Sequence, residues 1–300
     1  KFLNITPKIE EYLRKKIERV YSDEAKTGIF EEDNPFLEMI SDDLLETSVV
    51  VANRWKEEFV VSENQKTNDL VFVEFSKEGV DHFAFLRIAL RETLTHLGGE
   101  VDNPIKLTQN NLPGFGTGAD EALVINLQSR KYHLIEKRIK YNGTFLNYFS
   151  ENLLQAQPKI SPKKSIKALE KTAQKIAESF NTDDFQFQSK VKSAIFNHIE
   201  EENKLSPEKL ADDLFDDNLT ARLSFIDQVK EAVPEPVTFE EIDASRQLKK
   251  FENQKLSLSN GIELIVPNNV YEDAESVEFI LNENGTYSIL IKNIEDIQSK

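Results

Sequence analysis

Hydrophobic and polar residues alternate with a period of two near the C-terminus. Leu256, Leu258, Ile262, Leu264 and Val266 flank Asn260-Gly261. Val277, Phe279 and Leu281, then Tyr287, Ile289 and Ile291, flank Asn284-Gly285. This period means strands with one buried face. Asn-Gly offers the left-handed pair that a tight hairpin turn uses, so two successive hairpins are predicted. They are joined by Pro267-Asn268-Asn269 and an acidic turn at Glu272-Asp273.

Upstream the period changes. Thr6-Pro7 reads as a cap and first helical position, and Ile9, Tyr12, Leu13, Ile17 and Val20 recur at helical spacing to about Tyr21. After breaks at Gly28 and Asn34-Pro35, a second helical pattern takes in Phe36, Leu37 and Ile40, then Leu44 to Phe59. Asp42 and Asp43 lie where the helix dipole favours acids. Leu70–Phe75 and His82–Leu90, around Glu78-Gly79, predict a hairpin buried on both faces. A loop is expected from Gly98 to Gly118. Ala122–Leu127 and Tyr132–Ile139 then form a strand pair around Ser129-Arg130, and Asn142-Gly143 marks a turn. From Ser161 to Ala232 the pattern is helical. Ser161, Asp183 or Asp184, and Ser206-Pro207 open three helices; a fourth starts near Leu219, and Pro234 and Pro236 follow as a linker. The fold class read from these elements is α+β: an antiparallel sheet with packed helices, a central helical region and a C-terminal β-hairpin module. The expected division is 1–157, holding a four-stranded antiparallel sheet, then 158–233 and 234–300.

Composition narrows the chemistry. Cysteine is absent from the 300 residues, which removes disulfides, thiolate nucleophiles and cysteine zinc sites. No apolar run approaches transmembrane length and no secretory signal stands at the start, so a cytoplasmic location is expected. The only methionine is Met39, so the chain is read as a piece of a longer one. The net charge of −16 argues against a protein coated all over by nucleic acid, yet it is unevenly spread. Gln128–Lys175 holds eleven Lys/Arg and three Asp/Glu, whereas Glu200–Asp243 holds fourteen acids and four bases. Such a split bears on partners.

The most informative surface is the helix opening at Pro162. Ile166, Leu169, Ala173, Ile176, Ala177 and Phe180 share one face, and Lys163, Lys167, Lys171 and Lys175 fall at i, i+4 steps on another. A lysine row opposite an apolar stripe suits a helix that tracks phosphates, although a solvated amphipathic helix shows the same pattern. With Lys164, and with Arg130, Lys131, Lys137, Arg138 and Lys140 upstream, it makes ten candidate nucleic-acid-binding residues. Aromatic residues are sparse among them, which favours backbone contact over base stacking. Asp212, Asp213, Asp216 and Asp217 are the candidate partner-binding set; their i, i+4 repeat allows a shared hard cation, but a solvated helix face is the expected reading.

Gly114-Phe115-Gly116-Thr117-Gly118 lacks the Gly-Lys-Ser/Thr of a phosphate-binding loop, so a flexible loop is expected. Histidines 82, 96, 133 and 198 show no metal-ligand spacing, and the first and third fall in strands. Glu74 and Lys77 miss a nuclease Glu-x-Lys spacing by one residue, which puts the lysine on the opposite strand face. No catalytic residue, metal site or cofactor is assigned.

Several phrases carry a resemblance. Gln254-Lys255-Leu256, Asn260-Gly261-Ile262-Glu263-Leu264 with Pro267, Val277-Glu278-Phe279-Ile280, Asn284-Gly285-Thr286 and Ser288 to Ile294 resemble the end of the bacterial nucleoid-associated protein family of the NdpA/YejK type. Asp120-Glu121-Ala122 with Ile125-Asn126-Leu127, Tyr148-Phe149-Ser150 and the helix Ser161–Phe180 look like that family too. The similarity runs over essentially the whole chain apart from the family's N-terminus. It implies association with the bacterial nucleoid in the cytoplasm and brings no catalytic motif. The expectation is a non-enzymatic protein that binds DNA backbone without strong sequence preference. The alternative is an acidic adaptor that grips DNA-handling proteins. Oligomeric state is left open.

Overall fold

Thr6 accepts from the Ile9 amide and opens α1 (Pro7–Glu18), with Pro7 spending no hydrogen bond at the first position. The computed structural model describes residues 2–61, 66–96, 105–141, 143–182, 184–239 and 241–298. They form two units, Lys1–Ser161 and Pro162–Lys300.

The first unit is built on a sheet. Its elements after α1 are β1 (Lys26–Ile29), α2 (Leu44–Val60), β2 (Asn68–Lys77), β3 (Val80–Ala89), β4 (Arg91–His96), β5 (Ile105–Asn111), β6 (Glu121–Asn126), β7 (Lys131–Ile135), β8 (Ile139–Tyr141) and β9 (Thr144–Leu146). A five-stranded antiparallel sheet runs in the order β1-β7-β6-β3-β2. The strand period sorts its side chains. Phe83, Phe85, Leu123 and Ile125 join Val51, Trp55 and Phe59 of α2 and Tyr148 and Phe149 beyond β9. Ala84, Leu86, Ile88, Ala122 and Val124 join Leu13 and Ile17 of α1 and Val20 just after it. A helix therefore covers each face, and central β3 is buried on both sides from His82 to Ala89. Its partner β2 is an edge strand and only partly covered, so the expectation of burial on both faces holds for β3 alone.

Three local expectations change. β1 adds a fifth strand to the four read from the pattern; it is four residues long with a glycine inside and shows no usable alternation. The stretch expected as a loop contains β5, which pairs with β4. Leu94, Ile105 and Leu107 of this two-stranded ribbon are exposed, so no buried face imprints a period on the sequence. Residues 98–104 of that stretch lie outside the described residues. The helical pattern from Phe36 breaks after a short turn at Leu37–Met39, and Asp43 caps α2 through the amides of Leu45 and Glu46. Gly143, at φ +80°, stands between β8 and β9, and Asn142 lies outside the described residues.

The second unit begins with five helices: α3 (Pro162–Ser179), α4 (Phe185–Glu202), α5 (Pro207–Leu214), α6 (Leu219–Lys230) and α7 (Glu241–Phe251). Asp184 caps α4, with Asp183 outside the described residues, and Ser206 caps α5. Residues 204–205 (β10) and 237–238 (β11) pair briefly. β12 (Asn253–Ser257) and β13 (Glu263–Pro267) form one hairpin; β14 (Val277–Leu281) and β15 (Tyr287–Ile291) form the other, with the short α8 (Asn268–Tyr271) between them. The turns differ from the expected two-residue type. Only the glycines, Gly261 at φ +85° and Gly285 at +78°, are left-handed. Each glycine amide closes a four-residue turn, on the carbonyl of Leu258 or Asn282, and the glycine takes the bulge position. Asn260 and Asn284 instead use their side chains to accept from the amides of Ile262 and Thr286.

Candidate nucleic-acid interface

The α3 sequence resolves into two faces as its spacing requires. Ile166, Leu169, Ala173, Ile176 and Ala177 are buried. Lys163, Lys164, Lys167, Lys171 and Lys175 are all exposed. Lys175 donates to Gln228 of α6 at 2.8 Å, while Lys164, Lys167 and Lys171 form no salt bridge among the described residues.

A groove of about 730 Å³ runs beside this row between α3 and α4. Lys167, Glu170, Lys171 and Gln174 line it from α3, and Gln188 and Lys192 from α4. Burial holds the Glu170 carboxyl above its ordinary pKa, against the pull of Lys192 and Lys167. Three lysines thus face one carboxylate. Amide groups on either side add hydrogen-bond donors. Such a surface favours a polyanion and offers nothing that reads a base edge. Gln188 and Lys192 escaped the sequence reading because α4 shows no charge period; only the packing of α4 beside α3 brings them to the row.

The other five basic candidates lie in the first unit. Arg130, in the turn between β6 and β7 at φ +59°, pairs with Glu32 at 3.1 Å. Lys131 starts β7 and is exposed. Lys137 pairs with Asp120 at 2.9 Å, and Arg138 donates to the Phe145 carbonyl at 2.8 Å. Lys140 is exposed on β8. Arg130, Lys137 and Arg138 thus have a structural engagement, whereas Lys164, Lys167 and Lys171 form no salt bridge among the described residues.

The acidic candidates separate. Asp212 pairs with Arg222 at 2.8 Å, Asp213 with His198 at 2.7 Å and Asp216 with Lys190 at 3.2 Å; Asp217 is exposed. Lys190 holds the Asp216 carboxyl below its ordinary pKa. Neighbouring carboxylates turn to different bases rather than to a common point. Among the described residues no group of three or more His, Asp or Glu side chains is placed to hold a metal ion. Nor is any helix there long and apolar enough to cross a membrane. His82 stacks on Phe75 with ring centres 5.2 Å apart, and His133 lies against Tyr21 at 4.7 Å.

Residues 3–297 match the family model described as nucleoid-associated protein YejK. No curated protein and no solved structure matches the chain.

Proposed function

Because the chain belongs to the nucleoid-associated protein YejK family, we propose that it binds the DNA backbone without strong sequence preference and catalyses no reaction. The observation that carries this reading is α3, where exposed Lys164, Lys167 and Lys171 form no salt bridge among the described residues, on a helix whose apolar face is buried in the core. Arg130, Lys131, Lys137, Arg138 and Lys140 supply further positive charge in the first unit. The net charge of −16 fits, since repulsion elsewhere confines contact to the basic segments. The nucleoid, in the cytoplasm, is the corresponding location. The adaptor alternative draws on the acidic helices, where Asp212, Asp213 and Asp216 already have basic partners within the chain; this weights the reading toward DNA.

Fluorescence anisotropy with duplexes of unrelated sequence tests the proposal. Four phosphate contacts give a slope of log affinity against log salt near −3.6, at about −0.9 per contact. Replacing Lys163, Lys167, Lys171 and Lys175 by Glu abolishes binding and leaves the far-UV circular dichroism unchanged. Undiminished binding by that variant refutes the assignment to α3.

A further inference from the structure

α1 sends Lys16 inward, yet no carboxylate meets it. The side chain is fully buried, and its ammonium donates to the Gly114 carbonyl at 2.8 Å and to the Thr117 carbonyl. It also stands 4.3 Å from the centre of the Tyr12 ring, whose hydroxyl donates to the Pro113 carbonyl at 2.9 Å. The glycine-rich loop is therefore anchored to α1 by three hydrogen bonds. Burial lowers the Lys16 pKa, and Arg19 and Arg91 push it the same way.

Those two arginines are exposed and make no salt bridge among the described residues. The Arg19 side chain runs 3.7 Å from the place a Cβ on Gly118 would occupy. Arg91 stands opposite Asn111 in the β4–β5 ladder, two residues before Pro113. The nearby carboxylates are engaged elsewhere or act on Tyr12: Glu11 pairs with Lys15 at 2.8 Å, and burial, with Asp69, raises the Tyr12 hydroxyl pKa. Lys16, Arg19 and Arg91 thus gather at the loop with no salt bridge among the described residues.

The glycines add an independent point. Neither Gly114 nor Gly116 has a positive φ, and a Cβ on either would meet nothing within 4 Å. Neither a left-handed backbone nor crowding therefore calls for glycine at these positions. Their effect is to leave the outer side of the loop bare for a group that must approach the backbone closely.

We propose that Arg19 and Arg91, with the bare backbone at Gly114 and Gly116, form a second seat for a DNA phosphate, in the first unit. This rests on the DNA-binding reading above and adds to it a site outside the ten residues read from the sequence. The same anisotropy titrations test it, with Arg19→Gln/Arg91→Gln, Gly116→Val and, as a control on the same helix, Arg14→Gln, whose native partner is Glu18. Losing two phosphate contacts makes the salt slope shallower by about 1.8. Gly116→Val weakens binding several-fold with an unchanged melting temperature, because its side chain enters only the space reserved for the phosphate. Arg14→Gln leaves slope and affinity as they were. If Arg19→Gln/Arg91→Gln and Gly116→Val both bind like the parent while the α3 variant does not, this seat is refuted and the α3 reading survives. If the parent binds no duplex, both are refuted.

Discussion

Glu121 lies fully buried in the central sheet, and side chains from distant stretches converge on it. Arg87 Nε donates to its Oε2 at 2.6 Å, and the Tyr148 hydroxyl donates to the same oxygen. Trp55 Nε1 donates to Tyr148 at 3.0 Å, and Arg87 reaches Asn68 at 2.7 Å. Burial and Glu121 raise the Tyr148 pKa, so its hydroxyl stays protonated as the donor. Arg87→Met strands a buried carboxylate and is expected to cost about 3–5 kcal/mol; Arg87→Met/Glu121→Leu recovers much of it, as urea melts at pH 7 will show. The neighbouring Asp120 adds a pH signature. Burial pulls its carboxyl upward, but the Ala89 amide, Lys137 and Arg87 outweigh this and the pKa is lowered. A lowered carboxyl pKa gives stability above the unfolded value and loses it on acidification. Asp120→Asn is therefore less stable than the parent at pH 7, and the gap closes below about pH 4. The phrases Asp120-Glu121-Ala122 and Tyr148-Phe149-Ser150 were legible in the chain as family marks. Their joint burial was not, since Arg87 and Glu121 are 34 positions apart and Tyr148 a further 27 beyond Glu121. Ser150, too, is tied to distant Glu136, through both its amide and its hydroxyl.

At the level of elements, visibility in the sequence follows burial. Central β3 stands out as a continuous apolar run because both its faces are buried, and α3 because packing separates its two faces. The β4–β5 ribbon does not, and β1 is fixed by a contact that patterning cannot express. Gly28 of β1 is the ladder partner of Tyr132, and a Cβ there would collide with the Tyr132 ring. Gly28→Ala is thus expected to destabilise by about 1–3 kcal/mol through overpacking. Gly285→Ala tests a different cause: nothing crowds that site, but φ is +78°, so about 1 kcal/mol is lost through backbone strain. Gly116→Ala suffers neither penalty and should melt with the parent. Ordering the three by chemical denaturation separates crowding from backbone conformation. The lysine row was legible because it lies on one helix. Its groove was not, because Lys192 reaches it from another.

For the whole chain, the question is what residues 234–300 do for the helices before them. The second unit ties its hairpins to α4 by two unlike means. Gln254 donates to the Ser189 carbonyl at 3.2 Å and to Asn268 Oδ1 at 2.8 Å, and Ser193 donates to the same Asn268 oxygen at 2.7 Å. All these side chains are buried. At the start of α4, Phe185 meets Phe279 and Tyr287, each with ring centres 5.2 Å apart, and Tyr271 meets Phe279 at 5.3 Å. Removing the hairpins would take away Tyr271, Phe279 and Tyr287, uncover Phe185, and break the hydrogen bonds that Gln254 and Asn268 make with Ser189 and Ser193 of α4. α4 in turn forms one wall of the lysine groove. A fragment of residues 162–300 is therefore expected to melt in one cooperative transition and to bind DNA through α3. A fragment of residues 162–251 should lose that cooperativity in calorimetry and bind more weakly, although every lysine of the row is still present. Equal melting and equal affinity of the two fragments would instead remove the hairpins from any part in shaping the interface.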